Sequence, residues 1–500
     1  MPTHNLLKRV AAGASAFLVR RADVLLYGAI VVVLVAPFFV FDTIPLYDLP
    51  NHIARQHLLF GDATPGTESY YEAHWRLIPN LALEGAVFLL HHLLSIDLSI
   101  RIFLALTVGQ LFLGTLALHY ALFGRCGSLP LAAALFAFTG PLLFGFVNFC
   151  FGLGLVLWVF ALWLRWRERT VSIPVLGLLA AVALLAHLIA FCIYALLVVS
   201  CWAGIAASRR RRGELPPRAL VAAGRELLHL AVPAALYLAA MPHESAAFVP
   251  FYADGWQEKA AALGSLLGFS DPIFDGLCLF AVAAAGAIVI APRVGIAPQM
   301  RWPLACLTIA FLALPHRLGQ ATFVDYRLPP CIMLLLIGST AWRHPADPWR
   351  DRVTVLACGL LVLRLGFLYP QWASWQPDYA AYRTAFALLP PGARLLPLEA
   401  EPGRISLYDH PPLGHVAALA VTERGALIPT LFADSDHQIL SYKPAFAALS
   451  TATPTIKDAG GYDYILLIRP ERFDPGLLPT YRMIARGRTF ILGRLLRPDG

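Results

Sequence analysis

Apolar runs of roughly 17–25 residues recur along this chain from Val24 to Leu368. A run of that length matches the hydrocarbon thickness of a bilayer as a single helix, and so many of them leave little room for a water-soluble fold. Charged residues make up 14% of the 500 positions and apolar residues 58%, with a mean hydropathy of +0.65. An ordinary soluble domain carries about 25% charged residues. The fold class expected is a polytopic α-helical membrane protein, and soluble folds are excluded for this part of the chain.

The excess of 39 Lys and Arg over 31 Asp and Glu reads as a topology signal. Its clusters, Arg165-Trp166-Arg167-Glu168-Arg169 and Arg209 to Arg212, lie between apolar runs, where positive-inside charges belong. No basic face with interleaved aromatics suggests a nucleic-acid partner. Lys8, Arg9, Arg20 and Arg21 precede the first run without a small-x-small cleavage site, which reads as an uncleaved signal anchor.

Positive-inside parity places residues 1–22 in the cytoplasm and predicts about eleven spans within 23–371. Helix 1 covers about 23–41, and a first external loop covers 42–98. Within that loop Leu81–Leu94 is interrupted by Glu84, His91 and His92, so it is expected to lie on the outer membrane surface as an amphipathic helix. Helix 2 follows at about 99–123. The runs 131–165 and 174–207 are hairpins, with outer tips at Gly145-Phe146-Val147-Asn148 and Ala186-His187-Leu188. Helix 7 (about 225–242), an external loop 243–273, and helices at 275–293, 302–315, 328–343 and 353–369 complete the set. After Pro370 charges, prolines and short β-rich runs appear, notably Tyr464–Ile468 between Gly460-Gly461 and Pro470. Residues 372–500 are expected to form a small external α/β domain. The eight cysteines lie in or beside apolar runs and include no CxxC pair, so neither disulfides in that domain nor a zinc site is expected.

The polar chemistry concentrates at the first loop. Asp42, Asp48, Asn51, His52 and Arg55 crowd the point where helix 1 leaves the bilayer. Asp48, followed by Leu49-Pro50, reads as a helix N-cap or as a catalytic base, and the two roles can coincide. Asn51 and Arg55 are four apart and share a helix face. Arg55 reads either as a ligand of a lipid phosphate or as a snorkelling cation.

Three further groups are candidates for substrate binding. Glu72, His74 and Arg76 alternate and can line one side of an extended segment facing the site. His187 is a polar group at a hairpin tip in apolar surroundings, where such groups default to function; Asn148 reads as a packing residue. Arg317, Asp325 and Arg327 lie between two late helices, where paired arginines suit phosphate oxygens and an Asp325–Arg327 surface pair is the bland alternative. Lys259, one of four lysines, can also meet a phosphate.

A chain with Asp48-Leu49-Pro50-Asn51-His52 in its first external loop, a juxtamembrane helix before the second span and a terminal external α/β domain resembles the GT-C glycosyltransferases. These multi-spanning enzymes use polyprenyl-phosphate sugars and include the protein mannosyltransferases and lipid A aminoarabinose transferases. The closing pattern Tyr462-Asp463-Tyr464-Ile465-Leu466-Leu467 followed by Arg486-Gly487-Arg488-Thr489-Phe490 is similar to the end of several bacterial members.

The resemblance implies an inverting transferase in a bacterial inner membrane, with the sugar moving to a hydroxyl of an envelope lipid, glycan or protein. Asp48 is then the general base, with Asp42 its rival; the leaving lipid phosphate needs cations, which Arg327, Arg317 or Arg55 can supply. Glu72 matches the family's second acidic residue only loosely. No metal or other cofactor is expected, since the donor is already activated. The alternatives are a flippase of lipid-linked glycan, which would show internal symmetry and charges near mid-membrane, and a non-catalytic scaffold of the same fold.

Overall fold

A computed structural model describes residues 24–61, 70–214, 219–240, 250–252, 255–267, 279–280, 283, 286–319, 321–344, 346–399, 412–433 and 438–496. The N-terminal segment 1–22, about half of the expected loop 243–273, and residues 275–278, 281–282 and 284–285 of the expected helix 275–293 lie outside them.

Helix α1 (Val24–Val40) is closed by Arg101, which donates to the Phe38 and Phe41 carbonyls at 2.6 and 2.7 Å. The carbonyls at a helix end have no partner within the helix, so a guanidinium there satisfies several at once. After α1 come α2 (Leu49–Phe60), strand β1 (Tyr71–Ala73), α3 (Ala82–Leu90) and α4 (Ile96–Phe123). Ser95 caps α4 by accepting from Leu98 N at 3.2 Å, and Gly124 ends it in the left-handed region at φ 67°.

The run expected as the first hairpin is only half regular. Its first arm is a 3-10 turn (Leu129–Phe136) and a one-turn helix (Gly140–Leu143), and its second is α5 (Val147–Trp166). Pro130 and Pro141 remove amide donors from the first arm. The second hairpin is α6 (Ile173–Ala186) and α7 (Leu188–Arg211), meeting at His187, whose extended backbone separates them. Then follow α8 (Ala219–Ala240), α9 (Trp256–Gly264), α10 (Arg301–Ala313), α11 (Leu328–Gly338) and α12 (Trp349–Phe386).

Among the described residues four helices (α4, α5, α7 and α12) are long and apolar enough to cross a membrane, fewer than the eleven expected. Two late helices differ from their expected bounds. α11 stops at Gly338 instead of 343, because Thr340–Trp342 pairs as a strand with Val294–Ile296. α12 does not stop near 369 but runs on through Pro370 and Pro377. Packing outweighs the two missing amides: Leu365, Leu368 and Trp372 belong to the helical core, while Tyr379, Tyr382 and Phe386 belong to the core of the C-terminal region. On the same helix Val355, Leu356, Val362 and Leu363 stay exposed, an apolar face suited to lipid.

The C-terminal region holds β2 (Leu395–Glu399), α13 (Ala418–Arg424), β3 (Leu440–Tyr442), β4 (Tyr464–Ile468), β5 (Tyr481–Arg486) and β6 (Phe490–Leu495). Four strands make one sheet in the order β2-β4-β6-β5, with β2 parallel to β4 and the other pairs antiparallel. The central run Ile465–Ile468 is buried, as its flanking glycines and proline suggest. β3 instead pairs with β1 of the first loop, Tyr71 opposite Tyr442. α13 packs on α2. The first loop and the C-terminal region therefore share one core, in which Ala54 and Tyr71 lie with Leu413, Val416 and Leu427.

Candidate active site

The segment before α2 is held by the tip of the first hairpin. Tyr47 N and Asp48 N each donate, at 3.0 Å, to the Leu143 and Phe144 carbonyls. The contact is close enough to demand a glycine. Gly145 has φ +88°, and a Cβ there would lie 2.8 Å from both Asp48 Cβ and Asp48 N.

Asp48 occupies the N-cap position, but its side chain caps nothing. The carboxylate instead turns toward His415 of the C-terminal region, with 3.3 Å between Oδ1 and Nε2. The His415 ring meets Tyr47 at 4.8 Å and Phe432 at 5.5 Å between centroids. Tyr47 keeps its proton, first because it is buried and then because the Glu399 and Asp48 carboxylates stand near it. Glu399 is itself paired with Arg469.

Arg327 approaches from the α10–α11 connection. It is 7% exposed, stacks over Phe146 at 4.4 Å, and donates Nη1 to the Thr322 carbonyl at 2.6 Å. Its Nε is buried without a hydrogen-bond partner, and among the described residues no carboxylate forms an ion pair with it. Burial lowers its pKa to about 10, opposed by Cys150 and by the Asp48 and Asp325 carboxylates, so it stays charged at neutral pH. A buried guanidinium without a counter-charge is a seat for an anion.

The neighbouring Asp325 has other business. Lys259 Nζ donates to it at 2.9 Å and His316 Nδ1 lies 3.2 Å away, while Glu258 stands 3.1 Å from the same His316 nitrogen. Burial opposes the charged imidazole, yet the bonds to Asp325 and Glu258 prevail and raise its pKa to about 9. The Asp325–Arg327 surface pair, the bland alternative, does not form: Asp325 pairs with Lys259 and His316 instead. The cluster ties α9 to the Asp325–Arg327 turn, and Lys259 is occupied by Asp325.

Several expected site residues are elsewhere. Arg55 is buried and forms an ion pair with Glu84 of α3, with Gln438 on its other side, so it is neither at the lipid head groups nor available to a phosphate. Gln56 donates to the same Glu84 at 2.8 Å. Arg317 is exposed and stacks over Phe251 at 5.1 Å, apart from Arg327. Glu72 and His74 pair with each other at 3.1 Å on the surface, and Arg76 donates to the Gln438 carbonyl at 3.2 Å. Strand β1 uses this segment to join β3, so the alternation reflects pairing. Asp42 is exposed, and its carbonyl accepts from Arg101.

Three of the expected polar residues hold the frame. Asn51 Nδ2 donates to the Thr430 carbonyl at 3.2 Å. His52 is buried against Phe432 at 5.6 Å, and burial, with Arg55 nearby, lowers its pKa to about 3. His187 caps α7, accepting from Ile189 N at 3.1 Å, with its ring 5.5 Å from Phe149. Asn148 is a packing residue as expected: it accepts from Leu83 N at 2.9 Å and donates to the Asn80 carbonyl at 2.8 Å. Tyr47, His415, Phe432 and Arg469 were not legible in the sequence as site residues. Tyr47 carried the one available signal, its place beside Asp48.

No protein-family model matches the chain, and neither does any curated protein sequence. Among solved structures the chain is similar to the crystal structure of ArnT from Cupriavidus metallidurans bound to undecaprenyl phosphate, at 12% identity and a TM-score of 0.54, over 95% of this chain and 98% of that one. It is also similar to the arabinofuranosyltransferase AftD from Mycobacteria, at 16% identity and a TM-score of 0.46, over 95% of this chain and 40% of that one. The match to ArnT runs through both the helical part and the C-terminal region despite the low identity, so the likeness is one of architecture: this chain has the GT-C fold.

Proposed function

We propose that this protein is a membrane glycosyltransferase that moves a sugar from a polyprenyl-phosphate donor to a hydroxyl of a cell-envelope lipid, glycan or protein, at the outer face of a bacterial inner membrane. The observation that carries the reading is that the Asp48 carboxylate, which caps no helix, and the buried Arg327, without an ion-pair partner among the described residues, lie against one hairpin tip, at Gly145 and Phe146. The GT-C fold supports it, as does the undecaprenyl phosphate bound to ArnT.

In this reading the acceptor hydroxyl gives its proton to Asp48 while its oxygen attacks the anomeric carbon. A carboxylate within about 3 Å is needed for that transfer. The bond from the anomeric carbon to the phosphate oxygen breaks, the configuration inverts, and polyprenyl phosphate leaves. Arg327 neutralises the charge that grows on the phosphate. The donor is already activated and a guanidinium serves the leaving group, so the reading requires no metal.

The test uses the purified full-length chain in lipid nanodiscs, a panel of polyprenyl-phosphate sugars and envelope extract as acceptor. Mass spectrometry follows release of polyprenyl phosphate by wild type and by Asp48→Asn. Release that disappears in the variant supports a transferase with Asp48 as base. Release that survives moves the base elsewhere, with Asp42 the next candidate. No release from any donor by folded wild type sinks the reading in favour of transport or scaffolding.

A further inference from the structure

We infer that His415 is a positioning residue for Asp48, so that the C-terminal region completes the active site. The inference rests on the reading of Asp48 as the base.

A carboxylate that leaves its N-cap duty needs another partner to keep its orientation. Asp48 is mostly buried, and the described side-chain group within ion-pair reach is His415, 3.3 Å from Oδ1. The geometry also selects a tautomer. His415 Nδ1 is buried and has no hydrogen-bond partner among the described residues. A proton on that nitrogen would be a buried donor without an acceptor, which is costly. Nε2 is therefore the ring nitrogen placed to donate, and it is the one that faces Asp48 Oδ1. One carboxylate oxygen is held, and Oδ2 is left to accept the proton of the substrate hydroxyl. The ring cannot swing away easily, because Tyr47 and Phe432 flank it.

The backbone fixes both partners. Gly414, just before His415, has no room for a side chain: a Cβ there would fall 2.3 Å from the Tyr47 ring. The Leu413–Val416 segment is thus pressed on the Tyr47-Asp48 pair, as Gly145 is from the other side. The charged and titratable groups around the pair are Tyr47, His52 and the Glu399–Arg469 ion pair, with Arg327 beyond Asp48.

The test compares His415→Ala, His415→Gln and Asp48→Asn in the release assay. Loss of the contact that orients the base lowers kcat for His415→Ala on the order of ten- to a hundredfold. The donor KM stays near wild type, because His415 does not face the phosphate. His415→Gln keeps a donor at similar reach and restores most of the lost kcat. A kcat for His415→Ala near that of wild type, a raised donor KM, or a Gln variant no better than Ala, overturns the inference.

Activity retained by Asp48→Asn overturns instead the reading on which the inference rests. A second measurement needs no turnover: 15N spectra of histidine-labelled protein, with the His415 signal identified by its loss in His415→Gln. The Nε2–H tautomer is expected, with a shift on Asp48→Asn. The Nδ1–H tautomer, or a signal blind to Asp48→Asn, rejects the contact.

Discussion

Gly145 and Asp48 touch so closely that the glycine's missing side chain is what admits the carboxylate to its position. The distance from a hypothetical Cβ at 145 to Asp48 Cβ is 2.8 Å, and the backbone there has φ +88°. Gly145→Ala therefore adds both a clash and a left-handed strain. It is expected to destabilise the protein by at least ~1 kcal/mol and to cut activity further than that loss explains. Melting in detergent and the release assay separate the two effects; an alanine variant with wild-type turnover would show that Asp48 need not be held there.

Arg327 tests the anion seat. Arg327→Gln is expected to weaken binding of polyprenyl phosphate on the order of ten- to a hundredfold while leaving the fold intact. Arg327→Lys should recover only part of it, because the planar guanidinium stacks on Phe146 and a lysine ammonium does not reproduce that contact. Binding measured on nanodiscs doped with polyprenyl phosphate checks both variants.

The Arg55–Glu84 pair ties α2 to α3, and both side chains are 1% exposed. Removing one partner leaves a buried charge. Glu84→Leu alone should cost about 3–5 kcal/mol, while the double variant Arg55→Met, Glu84→Leu should recover most of it. A thermal double-mutant cycle reads the coupling, and simple additivity would contradict the pairing.

His316 predicts how stability changes at alkaline pH. Its pKa in the folded protein is raised to about 9 from an ordinary 6.5. The stabilisation from its bonds to Asp325 and Glu258 is therefore fully present below about pH 6.5 and is lost as pH rises through 9. Melting temperature should fall across that window in wild type and change less in His316→Gln. The Arg327 turn should loosen in step, seen as faster amide exchange at 325–327.

The part of this protein legible in its sequence is what local chemistry sets. Run lengths marked helices, His187 marked the joint of the second hairpin, and Gly460-Gly461 with Pro470 bounded a buried strand. The Asp48 loop also stood out, because polar density at the end of an apolar run is a local property. Partner choice is not local. Arg55 looks the same in sequence whether it meets lipid or Glu84, and Arg327 looks the same beside Asp325 whether or not they pair.

Only the tertiary structure decided that Lys259 takes Asp325, leaving Arg327 without an ion-pair partner among the described residues, and that α12 runs through two prolines to join two cores. It also decided that His415, 367 residues from Asp48 in sequence, stands 3.3 Å from its carboxylate. The physical reason is the same in each case: hydropathy acts on neighbours along the chain, whereas a charge finds its partner only after packing has chosen which distant surfaces meet.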